Sequence, residues 1–266
     1  IKVHKNLKAE YTYRKQTNGV IMPTIYLSPS TQEFNSYLNG GTEEQYMNLL
    51  ADYMQPYLLS SGIDVVRNSP DMTAASSIRQ SNEGNYDLHL ALHSNAAPEY
   101  LAGQLRGPDV YYYPRSGNGH IAAETIAENL KTIYPNPELV NAVPTTSIGE
   151  VRRTKAPAVL IELAYHDNPI DEAWIKNNLE EIAINIVQSL TQYFGIPFIP
   201  AGGNQIGIVT TEGGNLNVRS YPSFNGYVVA TIPNGSQVTI LGKYEDWYVI
   251  QYGDITGYVN ENYIII

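Results

Sequence analysis

The chain has no cysteine, which excludes disulfides, thiolate zinc sites and a cysteine nucleophile. Histidine is scarce too, with all five copies at positions 4, 89, 93, 120 and 166. Any metal site must therefore lean partly on carboxylates or amides. Positive charge is in deficit: 16 Lys and Arg face 26 Asp and Glu, for a net charge of -10. That balance argues against nucleic acid as a partner. No stretch approaches the ~18 consecutive apolar residues of a membrane span, and no low-complexity run marks the chain as disordered. The opening Ile1-Lys2-Val3-His4 lacks the charged-then-apolar pattern of a signal peptide. Phenylalanine (4) and tryptophan (2) are also few, against 22 tyrosines. Tyrosine suits sugar or peptide surfaces, and compositional habit accounts for the excess equally well.

At 266 residues and 43% apolar side chains, the chain can build a substantial core in one or two domains. After a weakly patterned start, Thr24-Ile25-Tyr26-Leu27 reads as a short buried strand. Thr42 followed by Glu43 and Glu44 has the form of a helix N-cap with acids in the first turn. Met47, Leu50, Met54 and Leu58 then recur at helical spacing, Pro56 predicts a kink, and Gly62 is placed to end the helix. The pattern continues as strand 63–67, short helix 73–82, strand 87–93, strand 109–113, helix 121–133, strand 158–162 and a long helix over 171–193. Strands alternating with helices predict an α/β fold, a mixed, mostly parallel sheet flanked by helices on both faces.

Residues 197–206 (PFIPAGGNQI) read as a linker. From Gly207 to Ile266 the texture becomes short alternating strands with frequent turn signals, the pattern of a small all-β barrel. The expected organisation is an N-terminal extension (1–23), a catalytic domain (24–196), the linker and a second domain (207–266). Neither part carries a basic excess.

In Leu88–Ala96 (LHLALHSNA), His93 closes an apolar strand just where a small polar loop begins. The carboxyl ends of strands are where α/β sheets place ligands, so His93 is a candidate functional residue and Asn95 a candidate substrate contact. His89 lies on the same face about 13 Å away along a strand, too far to share a metal, and is read as structural. Glu162 ends the apolar run Ala158–Ile161, where an unpaired carboxylate would cost several kcal/mol to bury. It is a catalytic candidate, with an ion pair to Arg152 or Arg153 as the alternative. Glu44, taken alone, is explained by the helix dipole.

In order, a strand, a Glu-containing helix start, LHLALHSNAA, GPDVYYYP, APAVLIELAYHDN and a final long helix are present. Over about Thr24 to Phe194 this resembles the zinc-dependent N-acetylmuramoyl-L-alanine amidases of bacterial cell walls. The resemblance implies an α/β hydrolase that cleaves the amide between N-acetylmuramic acid and L-alanine of the stem peptide in peptidoglycan. It also implies Zn2+ as cofactor, His93 and Glu44 as zinc ligands and Glu162 as the catalytic residue, with Gly107–Tyr113 as the strand after the active-site loop. One departure stands out. The family places a histidine after its first strand, where this chain has Ser28-Pro29-Ser30-Thr31-Gln32, with Thr31 at the histidine position. Gln32 could supply an amide oxygen as third ligand or be an ordinary loop residue. His166 and Arg152 are further candidate substrate contacts.

The second domain resembles a bacterial SH3-like domain through Leu216–Pro222, Gly235–Ile240, Asp246–Val249 and Thr256–Val259. Such domains commonly bind cell-wall peptides, which raises the effective concentration of an attached hydrolase at its polymer. Tyr221, Trp247 and Tyr258 are candidate wall-binding aromatics, with barrel core as the alternative. The expectation is a monomeric, extracellular or wall-associated peptidoglycan hydrolase. The competing expectation is an amidase-like protein, metal-free or weakly metal-binding, that only binds wall peptides.

Overall fold

The computed structural model describes residues 22–202 and 205–266; most of the expected N-terminal extension lies outside them. The first unit runs β1 (Thr24–Pro29), α1 (Glu43–Ser60), β2 (Asp64–Arg67), α2 (Ala74–Glu83), β3 (Leu88–Asn95), β4 (Asp109–Tyr112), α3 (Gly117–Leu130), β5 (Asn141–Pro144), α4 (Gly149–Arg152), β6 (Ala158–Tyr165), α5 (Pro169–Asn177) and α6 (Leu179–Phe194). Its six strands form one sheet in the order β2-β1-β3-β6-β4-β5. All neighbouring pairs are parallel except β4 with β6.

Alternation along the strands sorts the two faces. Leu88, Leu90 and Leu92 of β3 and Val159, Ile161 and Leu163 of β6 join the main core with α1, α3 and α6. Ala91, Ala158 and Leu160 point the other way and pack with Val151 of α4. His89, His93 and Glu162 share the phase of that second, more polar face.

Local sequence explains the helix boundaries. The Thr42 side chain accepts from Gln45 N and caps α1, which runs through Pro56 as one element. Gly62, at φ +80, takes the left-handed turn out of it. The single helix expected over 171–193 is two helices, split at Asn178. There the Asn178 side-chain amide donates to Trp174 O at 2.7 Å, competing with the helical ladder. The edge strand β5 was not anticipated, since its Asn-Ala-Val-Pro sequence reads as loop.

The second unit is an antiparallel sheet of seven strands: β7 (Gln205–Val209), β8 (Leu216–Arg219), β9 (Val228–Ile232), β10 (Gln237–Tyr244), β11 (Trp247–Tyr252), β12 (Ile255–Asn260) and β13 (Ile264–Ile265). Its own core includes Val218, Ile232, Ile250 and Val259. A separate cluster of Met22, Ile199, Leu241, Trp247, Val249 and Tyr258 packs where this unit meets the end of α1. Ile199, in the expected linker, is fully buried there and accepts from Ser60 Oγ at 2.6 Å.

Candidate active site

β3 and β6 deliver His93 and Glu162 side by side, because the two residues are register partners at the carboxyl end of the parallel pair. A bulge follows at once: the register shifts between His93 and Asn95, and Ala164 adopts φ 126. A non-glycine residue held at positive φ stores backbone strain of the kind that clusters at functional sites.

His93 is clamped through both ring nitrogens. Nδ1 lies 2.8 Å from Glu43 Oε1, and Nε2 lies 3.2 Å from Glu150 Oε2. Burial alone would lower the His93 pKa, but hydrogen bonds to Glu150 and Glu43 outweigh it and push the pKa up to about 10. Glu43 is buried at the first position of α1. Burial works against its charge, yet His93 and Asn35 hold its carboxyl below the ordinary range.

The residue that meets His93 is thus Glu43, in place of the expected Glu44. Glu44 is partly exposed, and its side chain makes none of the hydrogen bonds of the site. One position is a rotation of ~100° on a helix, enough to turn a carboxylate from the pocket toward solvent.

Gln32 does reach this point. Its Nε2 stands 3.3 Å from His93 Nδ1 and 3.5 Å from Glu43 Oε1, while its Oε1 accepts from Asn35 Nδ2 at 3.1 Å. Asn35 also donates to Glu43 Oε2 at 2.6 Å. The loop bearing Gln32 and Asn35 is latched from α5. Glu172 accepts from Asn39 N at 2.7 Å and from Asn39 Nδ2 at 2.5 Å, and it pairs with Lys176 at 2.7 Å.

Glu150 carries a role that sequence reasoning missed. It is buried on α4 and bonds three groups: Ser28 Oγ at 2.7 Å, His89 Nε2 at 3.3 Å and His93 Nε2 at 3.2 Å. These partners hold its carboxyl well below the ordinary range despite burial. The one signal available was a lone carboxylate in the short Ile148-Gly149-Glu150-Val151 segment. His89, whose Nδ1 lies 2.9 Å from Ser81 Oγ, stacks on Tyr26.

Glu162 differs from both clamping acids. Its Oε2 is buried with no hydrogen-bond partner. Burial pushes its pKa up to about 7; His93 opposes the rise, while Glu43, Asp109 and Glu150 add to it. The alternative ion pair with Arg152 or Arg153 does not form, and both arginines are exposed. Arg152 therefore sits apart from Glu162. A carboxyl whose pKa burial lifts toward neutrality is equipped to take and return a proton.

Asn95 is partly exposed and its Oδ1 accepts from Ala96 N. His166 is 3% exposed, stacks on Tyr37 and bonds Ser94 through Nδ1. Burial lowers its pKa, and it braces the β3 exit as an internal residue. Among the expected wall-binding aromatics, Tyr221 is exposed. Trp247 is buried, edge-on to Phe224. Tyr258 is fully buried and donates its hydroxyl to Ser61 O at 3.1 Å, which makes it part of the seam between the units.

Among the described residues, no three His, Asp or Glu side chains are grouped to hold a metal ion. Glu43 and His93 are two suitable donors, and the Gln32 amide is the third group at the same point. Glu43 Oε1 and His93 Nδ1 are two donors that lie together, whereas Gln32 turns its amide nitrogen toward them and its oxygen to Asn35, so two strong donors stand where a catalytic zinc ordinarily has three.

Residues 31–192 match the family model for N-acetylmuramoyl-L-alanine amidase, and residues 214–265 match the bacterial SH3 domain. A probable cell wall amidase of Staphylococcus aureus, LytH, is 30% identical over 202 residues, 72% of this chain and 65% of that protein. The chain thus spans just under two thirds of the length of this relative. The fold matches the N-acetylmuramoyl-L-alanine amidase AmiC2 of Nostoc punctiforme with a TM-score of 0.59 at 14% identity, over 67% of this chain and 99% of the other. The catalytic domain of the CD27L endolysin targeting Clostridia difficile aligns at 26% identity and a TM-score of 0.51, over 64% of this chain and 97% of the other. With the family model covering more than half of its length, the chain belongs to the N-acetylmuramoyl-L-alanine amidase family.

Proposed function

We propose that the protein is a peptidoglycan amidase that hydrolyses the bond between N-acetylmuramic acid and L-alanine of the stem peptide, with the SH3-like unit holding it at the wall. Family membership supports the substrate. The single observation that carries the chemistry is Glu162, a partly buried carboxyl with one buried, orphaned oxygen, lying in register beside His93.

In this reading zinc would be held by His93 and Glu43, with Glu43 taking the role first expected of Glu44, and Gln32 would join them through its amide oxygen once that oxygen turned from Asn35. When bound, the ion supplies Lewis-acid polarisation of the scissile carbonyl and a water of lowered pKa. Glu162 receives the proton of the attacking water on its carboxylate and returns it to the leaving amine of L-alanine. An amide nitrogen is a poor leaving group until protonated, so the return step matters as much as the first. Site of action follows the substrate: the cell wall or its surroundings.

Digestion of isolated sacculi with mass spectrometry tests the bond cleaved. Free muramic lactyl carboxylates beside intact stem peptides are expected, together with activity that rises with pH as Glu162, whose pKa burial raises, loses its proton. Glu162→Ala should reduce turnover 10²–10⁴-fold while metal content stays unchanged. Metal analysis of Glu43→Ala, Glu44→Ala and Gln32→Ala separates the ligands: the first and third should lose zinc and the second keep it. Thr31 at the family histidine position supports a second reading, a protein that binds wall peptides without cleaving them. Wall binding with no zinc uptake and no released product would establish it.

A further inference from the structure

We infer that Glu150 is a positioning residue that sets which nitrogen of His93 faces the reaction site. The His93 ring has two edges and two carboxylates compete for it. Nδ1 points to Glu43 and Gln32, while Nε2 points to Glu150. For the ring to turn over, Nε2 would have to leave Glu150, and Glu150 cannot follow it. Ser28 Oγ and His89 Nε2 both engage the other carboxylate oxygen, at 2.7 and 3.3 Å. His89 is in turn fixed by Ser81 Oγ at 2.9 Å and by the face of Tyr26. Two histidines four residues apart on one strand face are thus bridged by the two oxygens of a single carboxylate. The chain Ser81–His89–Glu150–His93 buries its polar atoms in mutual bonds, so the ring orientation is over-determined.

The consequence concerns the groups around Nδ1. A histidine whose far nitrogen donates to a carboxylate presents its near nitrogen in one fixed direction, and such outer partners set the affinity of ligand imidazoles. The inference depends on the zinc reading only where zinc is measured, so its test has two arms.

In the first arm, proton NMR of the metal-free full chain follows the far-downfield imidazole N–H resonances, assigned with His93→Gln. The His93 Nε2–H signal should vanish in Glu150→Leu and persist in Glu150→Gln, whose carbonyl oxygen still accepts. In the second arm, zinc titration should show about a 10–100-fold loss of affinity in Glu150→Leu and largely restored affinity in Glu150→Gln. A folded Glu150→Leu protein that keeps both the resonance and the wild-type zinc affinity overturns the inference. If Glu150→Leu does not fold, Ser28→Ala must still shift the same resonance, and an unmoved signal overturns the inference equally. If the wild-type protein takes up no zinc but the resonances behave as expected, the positioning role stands and the zinc reading falls.

Discussion

The two faces of the six-stranded sheet are made from alternate residues of the same strands, yet they do opposite work. Under α1, α3 and α6, β3 contributes Leu88, Leu90 and Leu92, all essentially fully buried. On the reverse, the same strand contributes His89, Ala91 and His93, with Ser28 of β1, Glu150 of α4 and Glu162 of β6 near them. The first face stabilises by removing apolar area from water. The second carries buried charge, whose desolvation cost offsets much of what its pairing returns.

Three substitutions sharpen that contrast. Leu90→Ala, on the apolar face, should destabilise the protein by about 2–5 kcal/mol in urea unfolding, with zinc affinity unchanged in the folded fraction. Glu162→Gln, on the reverse face, should do the opposite. The folded protein holds the Glu162 proton up to about pH 7, against an ordinary value of 4.5. The stability gained from that protonation is complete below about pH 4.5 and is lost as pH rises through 7. In the metal-free protein, Glu162→Gln should therefore exceed the wild type by ~2–3 kcal/mol at pH 8 and match it near pH 4. A variant less stable than the wild type at pH 8 would mean that Glu162 is paired after all. Smallest is Ser28→Ala, which removes one bond to a charged carboxylate and should cost about 1–2 kcal/mol in the same assay.

Much of this arrangement was readable from the residues. His93 and Glu162 declared themselves as polar groups after apolar runs of Leu, Ala, Val and Ile, expected at one sheet edge, although β3 and β6 continue to Asn95 and Tyr165. The α/β class and the separate β unit followed from the change in periodicity near residue 207. Helical phase was harder to read. Glu43 and Glu44 are adjacent acids in one first turn, and motif spacing favoured Glu44, while burial of the helix start brings Glu43 to His93. Glu150 left almost no trace, because a four-residue helix has no periodicity to reveal which side it buries. His89 was read as structural because two histidines about 13 Å apart along a strand are too far apart to share a metal. A carboxylate has two oxygens, and Glu150 uses one for each. Tyr258 and Trp247 show the limit for aromatics: alternation marks an inward position without telling core from groove.

The latch between Asn39 and Glu172 ties the geometry of the pocket to a single stretch of chain. β6 supplies Glu162, and ten residues later the same stretch supplies Glu172, which grips the loop carrying Gln32. Glu162 and the anchor of the Gln32 loop are therefore mechanically one part. A change that shifts the β6–α5 corner would move Glu162 and the Gln32 loop together, keeping their spacing while altering their aim at His93 on β3.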